Sequence, residues 1–135
     1  MRVGVDLDGT ITRKTFLNPQ IWLPQLLFFV LIPHFLTVTP NETIVNMLKG
    51  MTDNRTKVVI VSARPPWAAK MTRWWLKKHQ VPFSKLICVG FGKGTAQRKL
   101  EVIRKKNLKL FFDDEKRTVD FLTHNLVRAI LVHAH

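Results

Sequence analysis

Val3-Gly4-Val5-Asp6-Leu7-Asp8-Gly9-Thr10-Ile11-Thr12 lies almost at the start of the chain. A short apolar run, 3–7, breaks off in two aspartates two positions apart, then a glycine and hydroxyl residues. Such a run, stopped by acids and Gly9, reads as a buried strand entering a loop. Where strand gives way to loop, Asp6 and Asp8 can face one cavity. The ordinary alternative is a solvated Asp-Gly turn, and the rest of the chain has to decide between the two.

Working outward, residues 57–61 (KVVIV) form an unbroken β-branched run, as a strand buried on both faces requires. Runs 86–89, 108–112 and 129–132 read as further strands. Helical segments are predicted between them. One begins at Thr39-Pro40-Asn41-Glu42, with Thr39 and Glu42 spaced as a capping box, and stops at Gly50. The others cover 67–79, 95–106 and 115–124. In 67–79, Trp67, Met71, Trp74 and Lys78 share a stripe and Trp75 lies off it, so one of the paired tryptophans faces an interface or groove. In 95–106, Leu100 and Ile103 point inward. Strands alternating with helices predict an α/β fold: a Rossmann-like three-layer α/β/α sandwich with a mostly parallel sheet. Residues 13–51 exceed what a simple crossover needs, which predicts a small helical insertion after the first strand.

In open α/β sheets, sites form at the carboxyl ends of the strands. Here those ends carry Asp6, Asp8 and Thr10, then Ser62-Ala63-Arg64, then Asp113-Asp114. The carboxylates supply hard oxygen donors suited to Mg²⁺. Crowded together without a cation, they would raise one another's pKa. Ser62 offers a hydroxyl, and the N–H groups after it can hold phosphate oxygens. A lysine can balance phosphoryl charge. Asp6 can attack phosphorus, and Asp8 can protonate the leaving oxygen and then activate water. Each group has a plainer reading as well. Asp113-Asp114 can cap a helix, Ser62 can close a turn, and Lys99 can be one more solvated lysine. Arg64 reads equally as a substrate contact or a surface residue. Gly90-Phe91-Gly92-Lys93-Gly94-Thr95 lacks the full P-loop spacing and reads as a flexible loop near the site.

Asp6-Leu7-Asp8-Gly9-Thr10-Ile11-Thr12 resembles the first motif of haloacid-dehalogenase-like (HAD) hydrolases. Val61-Ser62-Ala63-Arg64 resembles their second motif and Phe111-Phe112-Asp113-Asp114 their fourth. The order and spacing of the three make the match far more specific than any one of them. The resemblance implies one HAD-like domain over 1–135, a small phosphatase or nucleotidase-like member of that superfamily. It implies Asp6 as nucleophile and Mg²⁺ ligand, and Asp8 as acid/base with its carbonyl on the metal. It implies Asp113 and Asp114 as further metal ligands, and Ser62, Ala63 and Thr10 on the phosphoryl group. For the phosphate-balancing lysine it favours Lys99, with Lys93 as competitor.

The resemblance does not cover 13–51. Its segment 21–36, IWLPQLLFFVLIPHFL, is strongly apolar but broken by Pro24 and Pro33, and too short to span a bilayer, which takes ~20 residues. The 13–51 insertion as a whole reads as a mini-cap over the site, a homodimer surface through 21–36, or a membrane-surface anchor. With 22 Lys+Arg against 9 Asp+Glu the chain carries +13, which favours anionic partners: a phosphorylated small molecule or nucleotide, with nucleic acid or a membrane surface as alternatives. The one cysteine, Cys88, excludes an internal disulfide and reads as a small core residue. No cleavable leader is expected, since the chain runs straight into Val3-Gly4-Val5-Asp6. A cytoplasmic setting is expected, with membrane association left open.

Overall fold

The computed structural model describes residues 1–13 and 36–133. Strand β1 is Arg2–Val5, and the chain returns to the sheet through helix α1, Glu42–Asp53. Then follow β2 (Lys57–Ser62), a short 3₁₀ turn (Pro66–Ala68) running into α2 (Ala69–Lys78), and β3 (Lys85–Cys88). Helix α3 is Thr95–Lys105, β4 is Leu110–Asp113, α4 is Lys116–His124 and β5 is Ala129–Leu131. The five strands form one sheet in the order β3-β2-β1-β4-β5, with every pair parallel.

Strand alternation divides the core into two layers. Val3, Val5, Val58, Ile60 and Phe112 point to the face covered by α1 and α2, meeting Ile44, Val45, Leu48, Trp75 and Leu76. Val59, Val61 and Phe111 point to the opposite face and meet Leu100, Ile103 and Leu122 of α3 and α4. This is the expected three-layer α/β/α sandwich. Gly4 explains how Phe111 fits: a Cβ there would lie 2.7 Å from Leu108 Cδ1 and collide with the Phe111 ring.

Two local expectations are corrected, and a third is decided. Helix α1 is capped by Asn41, whose side chain accepts from Ile44 N–H at 3.4 Å, and not by Thr39. Thr39 and Pro40 are occupied elsewhere: the Thr39 carbonyl accepts from Arg13 N–H at 2.9 Å and Pro40 bridges Thr12. The helix also passes through Gly50 to Asp53, since a solvated glycine costs a helix only about 1 kcal/mol. It buries Ile44, Val45 and Leu48, so the last part of 13–51 is the crossover helix itself. On α2 the stripe through Trp67 and Trp74 faces outward, and the buried side is Thr72, Trp75 and Leu76. Trp75 is fully buried and its Nε1–H donates to the Val38 carbonyl at 3.0 Å. The reading of 21–36 falls on residues outside those described, apart from Leu36. Among the described residues no helix is long and apolar enough to cross a membrane.

Candidate active site

Strand β1 ends at Val5, and the Asp6 N–H donates to the Phe112 carbonyl of β4 at 2.8 Å. That bond brings the end of β1 alongside Asp113. Residues 7–11 then wind through one irregular turn, extended at Asp8 and left-handed at Gly9 (φ 86°). Thr12 closes it. Its N–H donates to the Leu7 carbonyl at 3.1 Å and its Oγ1 accepts from Gly9 N–H at 3.0 Å. Gly9 answers to two demands. L-residues disfavour its backbone angle, and a Cβ would press into the Asp114 carboxyl group, 2.7 Å from Cγ.

Around Asp6 the chain brings together groups from four elements. Lys99, on the inner side of α3, is completely buried. Its ammonium donates to Asp6 Oδ1 and to Asp113 Oδ2, each at 2.9 Å. The Thr10 hydroxyl lies 3.5 Å from both Asp6 Oδ2 and Asp114 Oδ1. Oxygens of Asp6, Asp113 and Asp114 approach within 4.8 Å of one another. Asp113 Oδ1 accepts from Glu115 N–H at 3.0 Å, which ties the carboxylate to the start of α4.

The electrostatics are unbalanced by design of the cluster. Burial lifts the Asp6 carboxyl well above its ordinary 3.8; the Asp113 charge adds to this, Lys99 opposes it, and Asp114 adds again. One ammonium cannot neutralise two buried carboxylates with a third beside them. Burial acts against the Lys99 charge as well, but Asp6 and Asp113 outweigh it and hold the lysine protonated. Protonation of Asp6 or a bound cation would remove the surplus negative charge, and the three carboxylates lie close enough to hold a metal ion.

Asp8 lies outside that carboxylate group. Its side chain is paired with Arg64, Nε at 3.1 Å and Nη2 at 2.9 Å, a two-pronged ion pair. Arg64 is 1% exposed, and its Nη1 donates to Thr72 of α2 at 3.1 Å. The surface alternative for Arg64 is therefore wrong. The expected carboxylate set of Asp6, Asp8, Asp113 and Asp114 reduces, in side chains, to Asp6, Asp113 and Asp114.

Ser62 is buried at the end of β2, the strand beside β1, with its Oγ accepting from Arg64 N–H at 3.0 Å. Ala63 is buried next to it. Lys93 is exposed, and its carbonyl accepts from Arg98 at 2.9 Å. Arg98, unremarked in the sequence, ties down the glycine loop by donating also to the carbonyls of Val89 (2.8 Å) and Gly90 (3.0 Å). A one-turn spacing from Thr95 was the available signal. Cys88 is half-buried against the core, and burial pushes its thiol up to about 11. His133 lies beside Arg13 and Asn41, in a separate cleft.

No protein-family model and no curated protein sequence matches the chain. Solved structures do. A structure of the Pnkp1/Rnl/Hen1 RNA repair complex aligns over 97% of this chain with a TM-score of 0.76 and 18% identity; the chain spans 42% of that protein's length. The D,D-heptose 1,7-bisphosphate phosphatase from B. bronchiseptica, complexed with magnesium and phosphate, aligns over 98% of this chain and 80% of its own (TM-score 0.66, 9% identity). The HAD domain of effector protein Lem4 from Legionella pneumophila aligns over 98% and 85% (TM-score 0.60, 15% identity). Identities this low speak to architecture, and the architecture of this chain is the haloacid-dehalogenase-like fold.

Proposed function

We propose that the chain is a Mg²⁺-dependent phosphomonoesterase of the HAD superfamily, working through an aspartyl-phosphate on Asp6. One observation carries this: a buried carboxylate at the end of the first strand, held by a buried lysine and flanked by two further carboxylates. A structural ion pair has no use for the extra negative charge, whereas a metal-assisted nucleophile does.

In this mechanism Asp6, Asp113 and Asp114 hold the metal by their side chains, as the donor set fits. Bound there, Mg²⁺ would offset the charge of the phosphoryl group and of the carboxylates. Asp6 attacks phosphorus as the ester P–O bond breaks, and Asp8 delivers a proton to the leaving oxygen. Asp8 then takes a proton from the water that cleaves the Asp6–phosphorus bond. Arg64, gripping both Asp8 oxygens, fixes where that carboxyl group stands. Lys99 balances charge beside the nucleophile. The hydroxyls of Ser62 and Thr10 and the N–H of Ala63 bind phosphoryl oxygens.

The substrate we propose is an anionic phosphate ester such as a nucleotide, in keeping with the +13 charge. The names of two structural neighbours, an RNA repair complex and a sugar-bisphosphate phosphatase, bracket the candidates. Release of phosphate from an aryl phosphate and a nucleotide panel, with Mg²⁺ and with EDTA, tests the reaction. Turnover that requires Mg²⁺ and vanishes in Asp6→Asn is expected. Turnover that survives in Asp6→Asn, or none on any ester, would sink the assignment.

A further inference from the structure

The sheet has a second distinctive edge, opposite the one that carries Asp6. Arg2, Lys57 and Lys85 are the first residues of β1, β2 and β3, and Lys109 and Arg128 immediately precede β4 and β5. All five are exposed. The strand order sets them along one edge as Lys85, Lys57, Arg2, Lys109, Arg128, with Lys85 level with Val59, two residues along β2 from Lys57, and Arg128 one residue along from Lys109. Arg2 and Lys57 are register partners, and Lys109 N–H donates to the Arg2 carbonyl at 2.8 Å. At the usual strand spacing the five strand starts span about 19 Å, long enough to meet several phosphates of an extended strand.

Two clefts open along this row. One, of about 260 Å³, lies among Arg2, Lys57, Ser84, Lys85 and Lys106. The other, of about 540 Å³, lies among Arg104, Asn107, Lys109, Asn125 and Arg128. Lys106 and Asn107, adjacent in the chain, separate them. Neither cleft is lined by an acid. Ion pairs among the described residues involve only Arg64, Lys99 and Lys116, so the row has no internal neutralisation. Asp53 ends α1 on the approach to β2. Complementing a helix dipole accounts for Arg104 and Lys105 at the end of α3. It does not account for Arg2, Lys57 and Lys85, which begin strands. The cations crowd one another: the neighbouring Lys85 holds the Lys106 ammonium below its ordinary 10.5.

We infer that this edge binds the sugar–phosphate backbone of a nucleic acid, at a site separate from the Asp6 cluster. A line of exposed cations across five strand starts, with Asn107 and Asn125 lining the larger cleft beside it, is the chemistry that backbone requires. An acidic membrane fits less well. Met1 and Leu126 are the large exposed apolar side chains nearby, too little area for interfacial insertion.

The test uses the full chain and a fluorescent single-stranded oligonucleotide with hydroxyls at both ends, in EDTA, so that no phosphatase substrate is present. Anisotropy is followed over a range of NaCl concentrations. Wild type should bind with a log–log salt slope of about −3 to −4, from roughly 0.7 per phosphate contact. The triple variant Lys57→Gln, Lys85→Gln, Lys109→Gln, with circular dichroism and Tm unchanged, should bind at least tenfold more weakly and show a slope smaller by about 2. A charge-matched control, Lys49→Gln, Lys70→Gln, Lys116→Gln, should stay within about twofold of wild type. Equal losses in both variants would reduce the effect to net charge and overturn the proposal. So would row-dependent binding to phosphatidylserine vesicles with none to the oligonucleotide.

Discussion

Lys99 is where residue-level chemistry is most exposed to test. Its ammonium is the cation shared by Asp6 and Asp113, all three groups being fully buried. Lys99→Met leaves two buried carboxylates without their shared cation, and breaking a buried pair this way costs about 3–5 kcal/mol. The urea midpoint measured in EDTA should fall accordingly, and Mg²⁺ should restore part of the loss. Arg64 asks a different question. Arg64→Lys keeps the charge but loses the fork that holds both oxygens of Asp8. Since misplacing a reacting group by 1 Å can cost about a hundredfold, kcat should fall by roughly that factor with KM little changed. A KM effect with kcat intact would mean that Arg64 contacts substrate and does not position Asp8. The aspartates at these strand ends were legible as residues in the sequence, because acids rarely follow apolar strands without purpose. The partner of Asp8 was not: Arg64 lies fifty-six positions away, and nothing local distinguishes a buried arginine from a surface one.

Among the elements, α2 shows how packing settles a choice that the periodic pattern leaves open. Trp67, Met71, Trp74 and Lys78 share a stripe and Trp75 lies off it; Trp67 and Trp74 are 44% and 53% exposed while Trp75 is buried. Thr72, Trp75 and Leu76 make the contact face, and Lys78 lies over the Trp74 ring at 5.0 Å. Removing a buried tryptophan typically costs about 3–5 kcal/mol, against about 0.5 for an exposed residue. Trp75→Ala should therefore shift the urea midpoint strongly and Trp74→Ala hardly at all. Comparable shifts would mean that the exposed tryptophan is covered in solution. The helix starts tell the same story. The sequence around Thr39 carries a capping box, but the bridge between Thr12 and Pro40 claims that stretch, and Asn41 caps instead. Local propensity ranks the candidates; long-range pairing chooses one.

For the molecule as a whole, stability and metal binding are linked through Asp6. A carboxyl group whose pKa is raised on folding binds its proton more tightly in the native state. It therefore contributes least above its folded value and most below the unfolded 3.8. In EDTA, the stability of wild type relative to Asp6→Asn should decline as pH rises above about 4. At neutral pH Mg²⁺ should raise the Tm of wild type by ligand linkage and leave Asp6→Asn nearly unmoved. An equal rise in both would place the ion away from the Asp6 cluster. Charge is also sorted at this scale. Asp6, Asp8, Asp113, Asp114 and Glu115 gather at the carboxyl edge of the sheet, and the basic row lies along the amino edge. Composition reported the +13 total but not its polarity, since the row exists only once five separated strands lie side by side.

By itself the sequence determined the strand and helix alternation, hence the parallel α/β sheet, and the acids that end β1 and β4. Those features follow from local periodicity and from chemistry written into adjacent residues. Tertiary structure alone decided that Lys99 and not Lys93 meets Asp6, that Asp8 pairs with Arg64, and which face of α2 is buried. Each of those outcomes depends on which side chains strand order and helix packing carry into reach of one another. No stretch of neighbouring residues encodes that.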